Sequence, residues 1–270
     1  RKRQASPTVM VLELVVPTLS SFLPGQWVDF VVPPHPWIGG FSIASSPRDL
    51  PNLTLAIKRS NHAPATWVHE ESQVDHEVHL QVGGTCVLPP IASTGLANAD
   101  RNEFLSSPPR IFCAGGIGIS PVLSQYREFL TQRDSFGATT RTGTLGGPPA
   151  QFLYTVSNPS ELVFANELAE LAATLGKSSN HPADRMVFAI TQTSEWSNDD
   201  GIPMKHKFPP TSSSSVELKT GRVMKPFLDE APKDSIFYLC GPPAMMDDAV
   251  SHLTTVNGVD PANIHYEKWW

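Results

Sequence analysis

The chain has 270 residues, of which 26 are proline and 18 glycine, and its formal net charge is −6. This length suits one large domain or two smaller ones, each with a buried core. Proline at about twice its usual share of ~5% argues against a helical bundle, and the acidic balance argues against a protein that follows nucleic-acid phosphates.

Disulfides, metal sites and membrane spans are not predicted. The three cysteines, Cys86, Cys113 and Cys240, are far apart and show no metal-ligand spacing, which favours a reducing compartment. The apolar run from Val9 to Val16 is short and contains Glu13, so no segment is expected to cross a bilayer. Because the chain starts with an arginine rather than Met, we expect a trimmed chain whose targeting peptide is not visible.

Short apolar or alternating runs separated by turn residues fill residues 1–108. The predicted strands are Val9–Val16, Trp27–Val32, Phe41–Ala44, Leu53–Ile57 and Val78–Val82, with one helix near Ala65–His69. Short strands at this spacing are typical of a β-sandwich or a small barrel.

From residue 109 to 270, strands alternate with amphipathic helices. The predicted strands are Ile111–Ala114, Phe152–Val156, Met186–Thr191, Ile236–Cys240 and Ile264–Tyr266. This alternation predicts βαβ units and a parallel sheet, with the ligand-binding loops along one edge. Two segments rich in Gly, Pro, Ser and Thr, near 134–150 and 195–220, are expected to be mobile insertions.

The strongest local motif is the run AGGIGISP at residues 114–121, which follows a strand and precedes a helix. Glycines at a strand end permit a tight turn and let backbone amides approach a phosphate. Ser120 is predicted to cap the helix and Pro121 to open it. A glycine-rich turn without a ligand is the alternative interpretation.

A second motif, CGPP at residues 240–243, ends another strand at the same sheet edge. Open α/β folds bind their ligands at that edge, which favours a ligand contact. By itself, Cys240 is better explained as a small buried side chain than as a reactive group.

In this order, the two motifs resemble those of the ferredoxin–NADP reductase superfamily, which includes NADH–cytochrome b5 reductase. The resemblance extends to Gly25–Val28, Gly39–Ser45 and Val82–Gly84 in the front half and to the aromatic chain end. It implies an antiparallel β-barrel flavin-binding domain at 1–108, followed by an α/β nucleotide-binding domain at 109–270.

The resemblance also implies a FAD site on the barrel. The flavin motif R-x-Y-S aligns with Gly39, Gly40, Phe41 and Ser42, with Ile43 next to it, and Thr66 lies in the loosely matched phosphate-supporting segment. Ser42 matches the serine near flavin N5, and Phe41 matches the ring that packs on the flavin. Gly39 replaces the arginine that would contact the flavin phosphates, so retention of FAD stays open.

On the nucleotide side, the resemblance implies the pyrophosphate loop and the turn beside the nicotinamide. The matching residues are Gly115, Gly116, Gly118, Ile119, Ser120 and Pro121 for the loop, and Cys240, Gly241 and Pro242 for the turn. Ser157 and Glu161 follow the next strand, where the adenine ribose would lie. The absence of a cation there favours NAD over NADP, although Lys177 and Arg185 remain candidates to reach that site.

Two functions follow as hypotheses. The first is a flavin-dependent NAD(P)H oxidoreductase in which Ser42 and Cys240 flank the reacting rings, Trp270 covers the flavin, and electrons pass to a small acceptor or a redox protein. The second is an NAD-binding module without a tight flavin site, acting as a sensor or assembly partner. The resemblance suggests mitochondria, with the cytoplasm as the alternative.

Overall fold

The computed structural model describes residues 1–89, 104, 106–136, 147–178, 184–192 and 216–269. Its front part contains six strands and one helix. They are β1 (Lys2–Gln4), β2 (Val9–Val15), β3 (Trp27–Val32), β4 (Trp37–Ser42), β5 (Asn52–Lys58), α1 (Ala63–Glu70) and β6 (His79–Gly83).

These strands form two antiparallel three-stranded sheets, in the orders β1-β2-β5 and β4-β3-β6. A single bridge between Ile43 and Leu55 joins the two sheets. Alternation explains the packing: Val28, Phe30 and Val32 of β3 are fully buried, while the residues between them are half-buried. The antiparallel front part predicted from the sequence is therefore confirmed.

The back part alternates strands and helices. Its elements are β7 (Arg110–Gly115), α2 (Ile119–Phe136), β8 (Ala150–Val156), α3 (Ala165–Ser178), β9 (Arg185–Ile190), β10 (Val216–Thr220), α4 (Met224–Asp229), β11 (Ile236–Gly241), α5 (Pro243–Thr255) and β12 (Ile264–Lys268).

The six back strands form one parallel sheet in the order β10-β9-β8-β7-β11-β12. Helices α2 and α3 pack on one face of this sheet, and α4 and α5 pack on the other. The order changes direction between β7 and β11, and parallel sheets bind ligands outside the carboxyl ends of the strands at such a point. Among the described residues, no helix is both long and apolar enough to cross a bilayer.

Several sequence-based boundaries are wrong. The expected insertion near 195–220 ends too late, because residues 216–220 are the edge strand β10. The expected insertion near 134–150 is too wide, because α2 continues to residue 136 and β8 begins at Ala150. Residues 137–146 and 193–215 lie outside the described part. The residues of α2, β8 and β10 that fall inside the two predicted insertions include few apolar side chains. For this reason the composition predicted loops there.

Ser120 is not a helix cap. A 3-10 turn at Gly116–Gly118 precedes α2, so Ser120 and Pro121 are its second and third residues. Proline needs no N–H partner in a first helical turn, which explains why Pro121 is accommodated there.

Helix α2 also holds the two parts together. Glu128, only 8% exposed, accepts hydrogen bonds from Arg48 of the barrel at 3.0 and 3.1 Å and from Ser46 Oγ at 3.3 Å. One turn earlier, Ser124 Oγ donates to the Ser45 carbonyl at 2.7 Å. Because both carboxylate oxygens meet one guanidinium fork, the contact fixes orientation as well as distance.

Candidate functional site

A cleft of about 790 Å³ opens along the carboxyl edge of the parallel sheet. Its back-part walls come from the ends of β7, β8 and β9, from the beginning of α4 and from the first turns of α5. Thr8, Val9 and Lys58 of the barrel close the other side. The cleft therefore lies between the two parts of the chain, where both can contact one ligand.

The glycine loop shows why glycine is needed at two of its positions. Gly116 has φ +55°, and a Cβ there would meet nothing within 4 Å, so this turn is open towards the cleft it lines. A Cβ at Gly118 would lie 2.3 Å from the Cys240 carbonyl oxygen, so the loop packs directly on the second motif. The structure thus brings the two sequence motifs into contact.

Polar groups at this loop lack partners. Ser120 is 1% exposed, and its Oγ has no hydrogen-bond partner among the described residues. The Ile119 N–H at the start of α2 donates to the carbonyls of the 3-10 turn Gly116–Gly118, whereas the first amides of that turn have no preceding helical turn to bind. Donors at a helix N-terminus favour an anion, so the loop fits a dinucleotide pyrophosphate.

Cys240 is a packing residue and not a nucleophile. Its side chain is 2% exposed, and burial raises the pKa of the thiol well above its ordinary value. The charge of Glu267, paired with it across β11 and β12, raises that pKa further. A neutral buried thiol does not attack a substrate. Cys240 does not line the cleft, whereas Pro242 two residues later does.

The other end of the cleft contains both predicted ribose contacts. Ser157 and Glu161 line it, together with Thr191 and Arg222. Glu161 Oε2 also accepts hydrogen bonds from barrel hydroxyls, which the sequence did not predict.

Of the two cations that the sequence left as candidates for this end, Arg185 is not found there. Arg185 binds Glu217 at 2.7 Å and also pairs with Glu230, away from the cleft. The side chain of Lys177 lies outside the described part.

The predicted flavin strand β4 differs from the glycine loop, because its residues pack against the chain's own side chains. Ser42 is 7% exposed, and the Phe41 ring packs edge-on against Phe30, with 5.6 Å between the ring centroids. A Cβ at Gly39 would lie 3.0 Å from both the Phe41 ring and Pro64 Cβ. The position that is an arginine in the family motif is thus filled by the chain's own side chains.

The remaining flavin candidates are already engaged in the barrel. Ile43 is fully buried in the barrel core, and its N–H donates to the Gln26 carbonyl at 3.0 Å. Thr66 Oγ1 donates to the Ser60 carbonyl at 3.2 Å. The contacts that these two residues make in the structure are therefore contacts within the barrel.

At the chain end, Trp269 bridges the two parts. Its backbone N–H donates to the Gly241 carbonyl at 3.0 Å, and its ring faces Gly40, where a Cβ would lie 3.5 Å away. Trp270, the predicted lid, lies outside the described part. The sequence did not predict this contact of Trp269. Its position follows from the register of β12 on β11, in which Lys268 lies opposite Gly241.

Sequence reasoning missed several residues that line the cleft. They are Thr8, Val9, Lys58, Thr191, Arg222, Met224, Lys225, Met245 and Asp248. Positions at strand ends could have been shortlisted, but their meeting at one cleft depends on how the barrel docks. Among the described residues, no three His, Cys, Asp or Glu side chains group as a metal site.

A barrel followed by a parallel-sheet domain is the two-domain fold of ferredoxin–NADP reductase-like structures. The flavohaem-like FAD/NAD-binding domain of nitric oxide dioxygenase from Vibrio cholerae matches this fold with a TM-score of 0.67 and 20% identity, over 100% of this chain and 95% of that one.

Residues 112–251 match the oxidoreductase NAD-binding domain family, and the chain belongs to that family. Oxidoreductase NAD-binding domain-containing protein 1 of Homo sapiens is 34% identical over 277 residues, covering 98% of this chain and 76% of that protein. The toluate 1,2-dioxygenase electron transfer component of Pseudomonas putida is 24% identical over 269 residues, covering 99% of this chain and 65% of that protein. The domain boundary at residues 108 and 109 stays a prediction.

Proposed function

We propose that this oxidoreductase uses NADH as electron donor and FAD as its bound cofactor, and that it passes electrons to a redox protein. The observation that carries the proposal is the cleft itself. It joins an open glycine loop on the parallel sheet to the barrel that carries β4. The electron-transfer role named for the Pseudomonas putida relative supports the choice of acceptor.

The chain's own residues account for dinucleotide binding. The amides beginning at Gly116 and the exposed Lys58 ammonium supply positive potential for the pyrophosphate. Pro242 and Met245 form the nicotinamide end of the cleft. Glu161, at the other end, suits the hydroxyls of an unmodified ribose and repels a 2′-phosphate, which favours NADH, whereas Arg222, which lines the same end, would attract that phosphate.

The residues present fit the flavin ring better than its phosphates. Trp269 links the nicotinamide turn to Gly40, so a ring held beside β4 would lie next to the nicotinamide end of the cleft. Bound FAD would accept a hydride from the nicotinamide and release electrons singly. Ser42 would orient the ring by a hydrogen bond, and buried Cys240 would support the turn from behind.

A second function is favoured by one observation. The filled position at Gly39 offers no cation to the flavin phosphates, and Arg59, which follows β5, is paired with Glu70 at 2.9 Å. A chain that binds NADH without retaining flavin would be an NAD-binding module. Both functions share the cleft and differ only at β4.

The deciding experiment loads the purified chain with FAD, removes excess by gel filtration and adds NADH without oxygen. We expect retained flavin whose visible absorbance bleaches on addition of NADH. NADH binding without retained flavin would establish the module instead. A chain that binds neither ligand would overturn both proposals.

A further inference from the structure

The hydroxyls that meet Glu161 belong to the barrel and not to the nucleotide domain. Ser6 Oγ donates to Glu161 Oε2 at 2.8 Å, and Thr8 Oγ1 donates to the same oxygen at 2.6 Å. Ser6 Oγ in turn accepts the Thr8 N–H at 3.2 Å. A hydroxyl that accepts one hydrogen bond while donating another is a stronger donor, so the three groups form one small network.

This network uses only one side of the carboxylate. Glu161 Oε1 accepts no hydrogen bond from any residue in the described part of the chain, and Glu161 lines the cleft. Two hydroxyls on Oε2 restrict rotation of the carboxyl group. One oxygen is therefore left for a ligand in a defined direction.

The surrounding packing holds the segment that carries Glu161 against the barrel. Val163 packs with Val9, Val11 and Ala56 in an apolar cluster between the two parts. Phe164 has φ +62°, a backbone conformation that costs roughly 1–2 kcal/mol for a residue other than glycine. A segment held in such a conformation is set by its contacts and not by local preference.

We propose that Ser6 and Thr8 are positioning residues for dinucleotide choice: the barrel aims the Glu161 carboxylate so that the cleft accepts NADH and rejects NADPH. This inference rests on the proposed function. It adds that discrimination between NADH and NADPH, which differ at the adenosine ribose, depends on the front part of the chain. The nucleotide domain alone, with Glu161 free to rotate, would discriminate less.

The physical reason is orientation. A carboxylate that is held still keeps its negative charge next to the ribose 2′ position, where a phosphate would be repelled. A carboxylate that rotates can turn away from that phosphate at the cost of a hydrogen bond to the ribose. Loss of the hydroxyls should therefore weaken NADH binding and strengthen NADPH binding together, so the ratio of the two dissociation constants is the proper measurement.

The experiment is calorimetric titration of the full chain with NADH and with NADPH. Thr8→Val keeps the shape of the side chain and removes its hydroxyl, and Thr8→Ser retains the hydroxyl. We expect Thr8→Val to lower the preference for NADH about tenfold, the loss of one hydrogen bond to a charged group, while Thr8→Ser keeps it. Thr254→Val, in α5 where the hydroxyl donates to Val250, is the matched control.

A cycle with Glu161→Gln separates positioning from general destabilisation. On that background, Thr8→Val should not change the ratio any further, because the charge that it positions is gone. An unchanged ratio in Thr8→Val, or an equal change on both backgrounds, overturns the inference. Ser6→Ala supplies a second, independent variant if Thr8→Val fails to fold.

The outcome for the unsubstituted chain distinguishes this inference from the proposed function. A chain that binds neither dinucleotide defeats both. A chain that binds NADPH more tightly than NADH defeats the choice of donor and this inference with it. A chain that prefers NADH, with Thr8→Val unchanged, leaves the proposed function standing and removes only the positioning role.

Discussion

The glycine loop and strand β4 both contain adjacent glycines, yet the structure uses them differently. At the loop, Gly118 lets two backbones approach, and Gly116 leaves open space towards the cleft. In β4, Gly39 accommodates the chain's own Phe41 ring and Pro64, while Gly40 faces Trp269. A glycine therefore indicates close approach, but only the neighbour decides whether the approach serves a ligand or the core.

The largest effect is expected at Gly118. Gly118→Ala would place a Cβ 2.3 Å from the Cys240 carbonyl oxygen, and backbone on both sides cannot move aside cheaply. We expect the free energy of unfolding to fall by about 3 kcal/mol in denaturant titration. Gly116→Ala creates no steric contact and is opposed only by the positive φ of this position, so we expect it to lower the free energy of unfolding by about 1 kcal/mol. Equal losses would show that the loop packs less closely than the structure indicates.

Substitution of Lys58 tests whether the barrel contributes to NADH binding in the cleft. Lys58→Ala removes an exposed cation that lines it, and we expect about tenfold weaker NADH binding, with a difference that shrinks as salt rises. Titration calorimetry at two ionic strengths measures both. The exposed Lys233, which does not line the cleft, is the control for a general loss of charge. An unchanged affinity in Lys58→Ala would place the dinucleotide on the nucleotide domain alone.

A smaller effect separates the two glycines of β4. Gly39→Ala puts a Cβ 3.0 Å from Phe41 and Pro64, and we expect a loss of about 1 kcal/mol in unfolding free energy. Gly40→Ala places its Cβ at an ordinary 3.5 Å from Trp269 and should change stability by less than about 0.5 kcal/mol. If Gly39→Ala were the better tolerated, the position would have room for the cation that flavin phosphates need.

The smallest effect concerns pH and the chain end. Burial raises the pKa of Glu267 above its ordinary value, so the folded state holds the proton more tightly than the unfolded state. Stability therefore falls as pH rises through the folded pKa, and Glu267→Gln should gain on the order of 0.5 kcal/mol at pH 7. The gain should vanish near pH 3, where both states are protonated. Glu71→Gln, at an exposed position, is the control. A gain in stability of Glu267→Gln that did not depend on pH would show that the raised pKa of Glu267 is not its cause.

Much of the fold followed from local pattern. Alternation in Trp27–Val32 predicted a strand with one buried face, and the glycine run before α2 predicted a strand–turn–helix. β10 was missed because, of its two apolar residues, only Val216 is half-buried and Leu218 is exposed, and because its place depends on pairing with β9. The polar β1 was missed for the same reason, since it exists through its register on β2.

The sequence by itself determined the two parts of the chain, their strand types and the two glycine motifs, because turn residues and apolar spacing act over a few residues. Tertiary structure alone decided that Gly118 lies on Cys240, that Lys58 and Thr8 reach the nucleotide cleft, and that Trp269 faces Gly40. These contacts join residues far apart in the chain. They depend on the docking of the barrel against α2 and on strand register, neither of which is encoded in any short stretch of sequence.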